Sequence, residues 1–263
     1  MADDGTRTFR TPAAAYDRHV GRYGGELARA LTALAGVGPG HRALDVGCGT
    51  GMLTAGLAAV VGAHRVAAVD PSEPFVEACR RRVPGAGVGR GSAEALPFRA
   101  GSFDRALAQL VVNFMADPGR GVAEMRRVTR PGGVVAAAVW DYAGGMTLLR
   151  AFWDAAVEAD PAAARLDEGV SMPHCDPGSL ARLWEGAGLT GVETAALDTS
   201  VAYADFDELW APLLTGVAPS GAFTVALDAR GREALRVALY RRLGSPPGGF
   251  SLGARAWAVF GTA

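Results

Sequence analysis

The 263-residue chain has a formal net charge of −1 at pH 7, so no overall basic field would hold it on nucleic acid. A hydrophobic content of 49% and a charged content of 20% are typical of a globular protein. The polar N-terminal residues carry no apolar signal core, and no apolar run approaches the ~18 residues of a membrane helix. Three scattered cysteines without metal-ligand spacing favour a reducing cytoplasm and predict neither a disulfide framework nor a metal site.

The first predicted helical segment spans residues 12–36, where apolar side chains recur at helical spacing. A glycine pair, Gly24 and Gly25, is expected to break it. Polar aromatic side chains, a histidine and arginines are concentrated at 16–23, close to the first predicted strand. This segment is interpreted either as a packed amphipathic cover or as part of a ligand site.

The stretch ALDVGCGTG at 43–51 predicts a strand, a tight loop and the start of a helix over 52–63. Three glycines at alternate positions, the first of them Gly47, allow positive φ angles and a close approach of the backbone to a ligand. The N–H groups at the start of a helix favour an anionic or electron-rich group. We therefore expect a nucleotide-like cofactor to lie across this turn; a glycine-rich turn without a ligand is the alternative.

The glycine spacing argues against two common nucleotide-binding motifs. The last glycine or alanine of a dinucleotide fingerprint is missing, because Met52 and Thr54 occupy its place in the two registers. A P-loop needs a lysine, and the chain contains none. Asp45 followed by alternate glycines resembles the first motif of class I S-adenosylmethionine-dependent methyltransferases, whose cofactor carries an ammonium group that suits a carboxylate. The resemblance implies cofactor contacts from Asp45, Gly47, Cys48, Gly49 and Gly51.

The second predicted strand ends in Asp70, which is followed by Pro71. Asp70 stands twenty-five residues after Asp45, about one strand–helix–strand unit. An acid at the tip of the second parallel strand can accept hydrogen bonds from both ribose hydroxyls of an adenosine. Capping of the helix predicted over 73–82 is the alternative role, which Ser72 is better placed to fill. Asp70 and Pro71 are therefore counted with the cofactor-binding candidates.

A weaker third strand is predicted over 83–91, and the segment SAEALPF follows it at 92–98. This segment resembles the family's G-D-A-E-x-L-P-F motif, whose acid contacts the adenine amino group and whose next backbone N–H contacts a ring nitrogen. Ser92 replaces that acid and still offers an acceptor, and the Ala93 N–H would be the donor. Glu94 is counted with these cofactor-binding candidates, although a structural or exposed role is expected of it.

The fourth predicted strand begins near Phe103 and ends at Gln109. Ligands bind at the carboxyl ends of parallel strands where the strand order reverses, and strands one and four flank that reversal. Gln109 and Leu110 are therefore expected to face the glycine loop across one crevice. Many members of the resembled family carry a histidine where Asn113 stands, so no base is expected there.

The remaining pattern predicts an α/β fold. Helices are predicted over 118–129, 141–165, 178–188, 206–214 and 222–243, a turn over 130–133, a loop over 166–177, and strands over 134–140, 192–203 and 250–260. The resemblance implies a Rossmann-like, doubly wound seven-stranded sheet in the order 3-2-1-4-5-7-6, with strand 7 antiparallel. The expected single domain, 1–263, comprises a helical lid at 1–40, a cofactor-binding core at 41–141 and cap insertions at 142–190 and 204–248.

The implied reaction displaces the methyl group of S-adenosylmethionine in line and releases S-adenosylhomocysteine, with positioning supplying much of the rate. If the acceptor must lose a proton, the candidate bases are His19, Asp141, Tyr142 and His174. For the histidines, a surface or structural role is the alternative. Arg22 is the candidate for the cofactor's carboxylate, and the substrate-binding candidates are Tyr16, Tyr23, Asn113, Trp140 and Trp153. Aromatic residues at such spacing are also typical of plain core.

Missing motifs narrow the substrate class. After the fourth strand there is neither the Asn/Asp-Pro-Pro-aromatic motif of base-amino methyltransferases nor the Pro-Cys pair of cytosine-5 enzymes, so a small-molecule acceptor is favoured. Its acceptor atom stays open between O, N and C, and a monomer or homodimer is expected. Arginine in place of every lysine is typical of a GC-rich bacterial gene. Two other hypotheses remain: a non-methylating protein that binds S-adenosylmethionine, and an NAD-type oxidoreductase on a similar sheet.

Overall fold

The computed structural model describes residues 20–216 and 218–263. Tyr16 and His19 lie outside the described residues, as does most of the first half of the lid predicted at 1–40. The site roles predicted for these two residues therefore stay predictions.

One seven-stranded sheet organises the described chain, in the order β3-β2-β1-β4-β5-β7-β6. Its strands are β1 Ala43–Val46, β2 Val66–Asp70, β3 Gly87–Arg90, β4 Phe103–Gln109, β5 Thr129–Trp140, β6 Thr190–Tyr203 and β7 Phe250–Thr262. Strands β1 to β5 run parallel to one another, whereas β7 is antiparallel to both of its neighbours, β5 and β6. The predicted fold class and strand order are confirmed.

Helices cover both faces of the sheet. They are α1 Gly24–Leu34, α2 Met52–Val61, α3 Glu73–Arg82, α4 Pro118–Val128, α5 Thr147–Ala159, α6 Glu168–Ser171, α7 Pro177–Gly186, α8 Phe206–Trp210, α9 Ala218–Ala226 and α10 Ala229–Arg242. On β5, Ala136 and Ala138 pack in one core with α1, α2, α5 and α10. Val135 and Ala137 pack in a second core with α4 and α7. A strand buried on both faces requires this alternation of apolar side chains.

At the predicted glycine break, a 3₁₀ helix over Val20–Tyr23 gives way to α1, which begins at Gly24. Two other predicted boundaries are wrong by several residues. Strand β5 starts at Thr129, so it includes the predicted turn at 130–133. The helix predicted over 222–243 is two helices, because Asp228 accepts a hydrogen bond of 2.7 Å from the Gly231 N–H and caps α10.

The cap insertion predicted at 142–190 includes a helix, α7, that packs against the sheet. Helix α7 buries Leu180 and Trp184 in the second core. The Trp184 Nε1–H also donates a hydrogen bond of 3.0 Å to the Val135 carbonyl of β5. The loop predicted over 166–177 is also shorter than expected, because it contains the one-turn helix α6.

Helix α1 is held against the end of β6. The hydroxyls of Tyr23 and Tyr203 lie 3.2 Å apart and share a hydrogen bond. The Thr199 hydroxyl donates a hydrogen bond of 2.6 Å to the Glu26 carboxylate. These contacts place the start of α1 beside the carboxyl ends of the parallel strands.

No single helix in the described ranges combines the length and hydropathy needed to cross a membrane. One pair of shorter helical segments, Phe206–Thr215 and Ala218–Ala226, reaches them only together, across a bend of 81°.

Candidate cofactor and substrate site

The loop between β1 and α2 takes its shape from its glycines. Gly47, Gly49 and Gly51 have φ angles of 72°, 51° and 90°, in the left-handed region that other residues rarely adopt. The Gly47 N–H donates to the Val69 carbonyl at 2.8 Å, which fastens the loop to β2. A Cβ on Gly47 would lie 2.5 Å from Val111 Cγ1, so this position has room only for glycine.

Asp70, at the tip of β2, is joined to this loop. Its Oδ2 accepts a hydrogen bond of 2.9 Å from the Gly49 N–H, and its Oδ1 accepts one of 2.8 Å from the Ser72 N–H. Burial raises the pKa of Asp70, and the two backbone donors oppose that rise. Since a carboxylate offers about four acceptor sites, Asp70 can accept further hydrogen bonds from a ligand.

Asp45 is a buried carboxyl group beneath the loop. Its Oδ2 accepts a hydrogen bond of 2.6 Å from the Thr54 hydroxyl. Its Oδ1 is buried and has no hydrogen-bond partner among the described residues. Burial raises the pKa of Asp45 to about 8, against the lowering effect of the Thr54 hydrogen bond. The structure therefore places Asp45 under the glycine loop with one acceptor oxygen left over.

The cysteine in the loop, Cys48, contacts a second cysteine on α3. Both Cys48 and Cys79 are buried free thiols. A hydrogen bond between these thiols is the largest factor that raises the pKa of Cys48. The Cys79 thiol also donates to the Thr54 hydroxyl at 3.3 Å, so a hydrogen-bonded row runs from Cys79 through Thr54 to Asp45.

Gln109 and Leu110 lie at the carboxyl end of β4. The Gln109 Nε2–H donates a hydrogen bond of 3.1 Å to the Gly24 carbonyl and so joins α1 to this end of the sheet. Gln109 Oε1 is a buried acceptor without a partner in the described part of the chain. Leu110 has a φ of 62°, a strained conformation for a branched side chain that concentrates at functional sites.

The segment 92–98 is stabilised by its own polar side chains. The Ser92 hydroxyl donates to the Glu94 carboxylate, and Glu94 also accepts a hydrogen bond of 3.0 Å from the Ala116 N–H. The Ser92 oxygen is exposed and accepts from the Glu94 N–H at 3.3 Å. Ser92 therefore keeps acceptor capacity at the surface, while the Glu94 side chain ties this segment to the loop before α4.

Arg22 is engaged by β6 and α8. Its guanidinium donates to the Ala202 carbonyl at 2.8 Å, pairs with Glu208 at 2.9 Å and lies 4.6 Å from the centre of the Tyr203 ring. These contacts give Arg22 a structural task that its sequence context does not reveal. Its predicted contact with the cofactor's carboxylate stays a prediction.

Three of the substrate-binding candidates are core residues. Tyr23, Trp140 and Trp153 are only 0%, 2% and 1% exposed, so a substrate reaches them only where this packing opens. The fourth, Asn113, is buried and donates from Nδ2 to the Met172 sulfur at 3.8 Å. Asn113 Oδ1 is a second buried acceptor without a partner in the ranges described.

The described candidate bases lie near the carboxyl end of β5. Asp141 Oδ1 accepts a hydrogen bond of 3.1 Å from the Gly144 N–H, and Tyr142 is buried. His174 has a φ of 56°, and its buried Nδ1 has no partner within the described ranges. The structure adds Glu168, a buried acid that sequence patterns did not single out. Glu168 was missed because it falls in the segment predicted as a loop. The only sequence signal for it is an acid that follows the aromatic residues of α5.

Residues 44–137 match a family model described as a methyltransferase domain. The ubiquinone/menaquinone biosynthesis C-methyltransferase UbiE of Cupriavidus necator is 33% identical over 186 residues, which are 64% of this chain and 75% of that protein. The chain belongs to the class I S-adenosylmethionine-dependent methyltransferase family. Another relative of this methyltransferase-family chain is the malonyl-[acyl-carrier protein] O-methyltransferase of Erwinia pyrifoliae, 35% identical over 58% of this chain and 57% of that protein.

A solved structure gives the same assignment. A candidate type II methyltransferase from Anaeromyxobacter dehalogenans superposes with a TM-score of 0.60 and 26% identity, over 90% of this chain and 94% of that one. The chain spans 57% of the length of the Erwinia pyrifoliae protein and only 27% to 32% of the length of three other curated relatives. Shared sequence and fold thus establish the family, and the acceptor is a matter for proposal.

The residues at the carboxyl edge fit S-adenosylmethionine. Gln109 Oε1 is a buried, unpartnered acceptor in the described structure, as a cationic or hydrogen-bond-donating ligand requires. The positive φ angles of the glycine loop leave a backbone surface without side chains next to Asp70. The side chains at this edge therefore offer mainly oxygen acceptors, which suit an ammonium group and two ribose hydroxyls.

Proposed function

We propose that the protein transfers a methyl group from S-adenosylmethionine to an oxygen, nitrogen or carbon nucleophile of a small molecule, releasing S-adenosylhomocysteine. The observation that carries this proposal is the hydrogen bond from the Gly49 N–H to the Asp70 carboxylate. It joins the glycine loop and the acid at the tip of β2 into one site. When bound there, the cofactor supplies an electrophilic methyl group on a sulfonium.

Each cofactor-binding residue has a specific task in this proposal. Asp70 accepts hydrogen bonds from the ribose hydroxyls while it holds the Gly49 N–H. Ser92 is an acceptor for the adenine amino group, since its own proton is donated to Glu94. Gln109 offers its unpartnered Oε1 to the methionine part.

Positioning carries most of the catalysis in this proposal. Holding two reactants in line lowers the barrier by about 7–11 kcal/mol, whereas a general base contributes about 10²–10⁴-fold. UbiE is named for a carbon acceptor and the Erwinia pyrifoliae protein for an oxygen acceptor, so relatives support the methyl transfer and leave the acceptor atom open. The small-molecule substrate is supported by the near-neutral net charge of −1.

The proposed setting is the cytoplasm, with a monomer or homodimer acting on its substrate without nucleic acid. The three free thiols Cys48, Cys79 and Cys175 support a reducing compartment.

The test is calorimetry with S-adenosylmethionine, S-adenosylhomocysteine and NAD in parallel, followed by measurement of S-adenosylhomocysteine release with small-molecule acceptors. We expect the first two ligands to bind, NAD not to bind, and turnover with at least one acceptor. Binding of NAD alone would contradict the proposal. Tight binding of the methyl donor with no turnover on a broad acceptor panel would instead favour a non-methylating member of the family.

A further inference from the structure

A second cluster of polar side chains lies on the segment 167–176, which comes after Asn113 and after the cofactor-binding candidates in the sequence. Its central residue is Glu168, which is only 3% exposed. The Trp153 Nε1–H donates a hydrogen bond of 3.0 Å to Glu168 Oε2. The neighbouring Asp167 is paired with the guanidinium of Arg150, which holds the start of α6 against α5. Glu168 is thus a carboxyl group positioned from two sides and hidden from bulk water.

Helix α6 is packed against the loop that follows β4. The Met172 N–H donates to the Glu168 carbonyl at 3.0 Å, so the two residues share one helical turn. The Met172 sulfur accepts from Asn113 Nδ2 at 3.8 Å. The segment that carries Glu168 therefore lies over the carboxyl edge of β4, next to the residue at which many family members carry a histidine.

The same segment is close to the end of β5. Burial, and after it the charges of Asp176, Glu168 and Asp141, together raise the pKa of the Cys175 thiol to about 12. Charges act on a thiol in this way only from nearby. Cys175 also packs against both hydrophobic cores, so it marks the point where they meet at the carboxyl edge.

Two buried polar atoms in this cluster have no partner in the described chain. They are Asn113 Oδ1 and His174 Nδ1. Asn113 is 5% exposed, and the hydrogen bond from its Nδ2 to the Met172 sulfur fixes the orientation of its amide group. A buried acceptor without a donor is costly, and its presence indicates a ligand that donates hydrogen bonds. Glu168 and Asp141 add negative charge to the same region, which disfavours an anionic ligand.

We propose that Glu168 takes the proton of the acceptor substrate, and that this acceptor is a neutral or cationic molecule whose nucleophile is an O–H or N–H group. This inference rests on the proposed methyl transfer and narrows its substrate class. In the step, the X–H bond breaks and its proton goes to the Glu168 carboxylate. The electron pair of X forms the bond to the methyl carbon, and the pair of the carbon–sulfur bond leaves with the sulfur.

The surroundings of Glu168 suit this task. The pKa of Glu168 is raised to about 7, because burial and the charge of Asp167 raise it by more than the Trp153 hydrogen bond lowers it. A base is most effective when its pKa lies near the working pH. The charged and titratable groups of the elements around Glu168 are Asp167, Arg150, Asp154, Asp141, His174, Cys175 and Asp176. Arg150 is already paired with Asp167 and Asp154, so it does not neutralise Glu168 directly.

Binding of small probes tests the charge preference without turnover. Benzylamine, benzyl alcohol and benzoate share one ring and differ in charge and donors, and their affinities for the S-adenosylhomocysteine complex can be measured by calorimetry at about pH 8, above the pKa of Glu168. We expect benzylamine to bind at least about tenfold more tightly than benzoate. Its addition should also shift the Trp153 indole N–H signal in NMR spectra.

The variant Glu168→Gln keeps an oxygen for the Trp153 indole, removes the charge and replaces the other carboxylate oxygen by an amide NH₂ group. It should weaken benzylamine binding by about tenfold and leave benzyl alcohol within about twofold. The matched control is Glu158→Gln, which removes an exposed carboxylate paired with Arg242 at 2.7 Å on the same layer of helices. Equal binding of benzoate and benzylamine, unchanged benzylamine affinity in Glu168→Gln, or no binding of either donor probe would each overturn the proposal.

Turnover gives the second readout. With an acceptor found by screening, Glu168→Gln should lower kcat by about 10²–10⁴-fold with little change in KM, and should remove the limb of the pH profile near the pKa of Glu168. The loss of a residue with a merely structural role would lower stability and raise KM without removing that limb. The affinity for S-adenosylhomocysteine distinguishes failure of the proposed methyl transfer from failure of the role proposed for Glu168. If the native protein does not bind S-adenosylhomocysteine, the methyl transfer is refuted. If Glu168→Gln binds it and has an unchanged pH profile, only the role of Glu168 is refuted.

Discussion

The Thr54 hydroxyl donates a hydrogen bond of 2.6 Å to the buried carboxyl group of Asp45, directly beneath the glycine loop. The Thr54 hydroxyl in turn accepts a hydrogen bond from the Cys79 thiol, so this contact joins the first turn of α2 to α3. This arrangement joins the Asp45 carboxyl group to α2 and, through Thr54, to α3.

Asp45→Asn should change how stability depends on pH. Burial raises the pKa of Asp45 from 3.8 to about 8, so between these values the native state holds a proton that the unfolded state has lost. The free energy of unfolding contributed by Asp45 therefore falls as pH rises through this window and is level on either side. Asparagine carries no proton to lose, so urea unfolding of the variant should show a shallower fall between about pH 4 and 8.

The control for this measurement is Asp198→Asn, an exposed carboxylate paired with Arg255 at 2.8 Å. The pKa of Asp198 is lowered by that partner, so its removal acts at more acidic pH and not in the same window. Equal slopes for Asp45→Asn and the native protein would show that Asp45 is ionised throughout.

Asp70→Ala should abolish most of the cofactor affinity. The variant loses the acceptor for the proposed ribose contact and also the hydrogen bond that orients Gly49. Each charged hydrogen bond is worth about 1.5–3 kcal/mol, so we expect S-adenosylhomocysteine to bind about 100-fold more weakly in calorimetry. Glu73→Ala, which removes an exposed acid at the start of α3, should bind as the native protein does. An Asp70→Ala affinity within about threefold of the native value would exclude the ribose role.

Gly47→Ala should destabilise the fold more than Gly49→Ala. Both positions have positive φ, which costs a non-glycine residue about 1–2 kcal/mol. Only at Gly47 would the new Cβ also meet Val111, at 2.5 Å, and such overpacking adds about 1–3 kcal/mol. Around Gly49 nothing lies within 4 Å of the new atom. The free energies of unfolding in urea should keep this order, and the reverse order would show that Val111 yields without cost.

Arg22→Ala and Glu208→Ala together test the role of Arg22. Both variants break the ion pair of 2.9 Å, so each should lower the free energy of unfolding, and Arg22→Ala by more because it also loses the hydrogen bond to the Ala202 carbonyl. If the contacts with β6 and α8 are the main task of Arg22, the affinity for S-adenosylmethionine should stay within about twofold in both. A large loss of affinity in Arg22→Ala alone would support its predicted contact with the cofactor's carboxylate.

The parts of the fold that could be predicted are those encoded locally. Two short apolar runs, one leading to Asp45 and the other to Asp70, and a loop whose glycines need positive φ are visible within a few residues of sequence. The strand order needed the family resemblance as well, because nothing in the local pattern states which strands are neighbours.

The features that escaped prediction depend on distant partners. Glu168 becomes a buried, positioned acid only because Trp153 from another helix donates to it. Arg22 finds its partners about 180 residues away, at Ala202 and Glu208. Gln109 of β4 donates to the carbonyl of Gly24, 85 residues earlier in the chain, and so joins the start of α1 to the sheet. Such contacts are made by tertiary packing, which single-sequence periodicity does not record.

The contacts between α1 and β6 have a consequence for how the chain folds. Arg22 and Tyr23 bond to residues 180 positions later, and Glu26 to one 173 positions later. Contacts of such long sequence separation form late, since the loop they close is large. During synthesis α1 therefore leaves the ribosome long before β6 exists, and until then its apolar residues Leu27 and Leu31 have α2 as a partner in their core. The hydrogen bonds that join Tyr23 and Glu26 to β6 form only after that strand has been made.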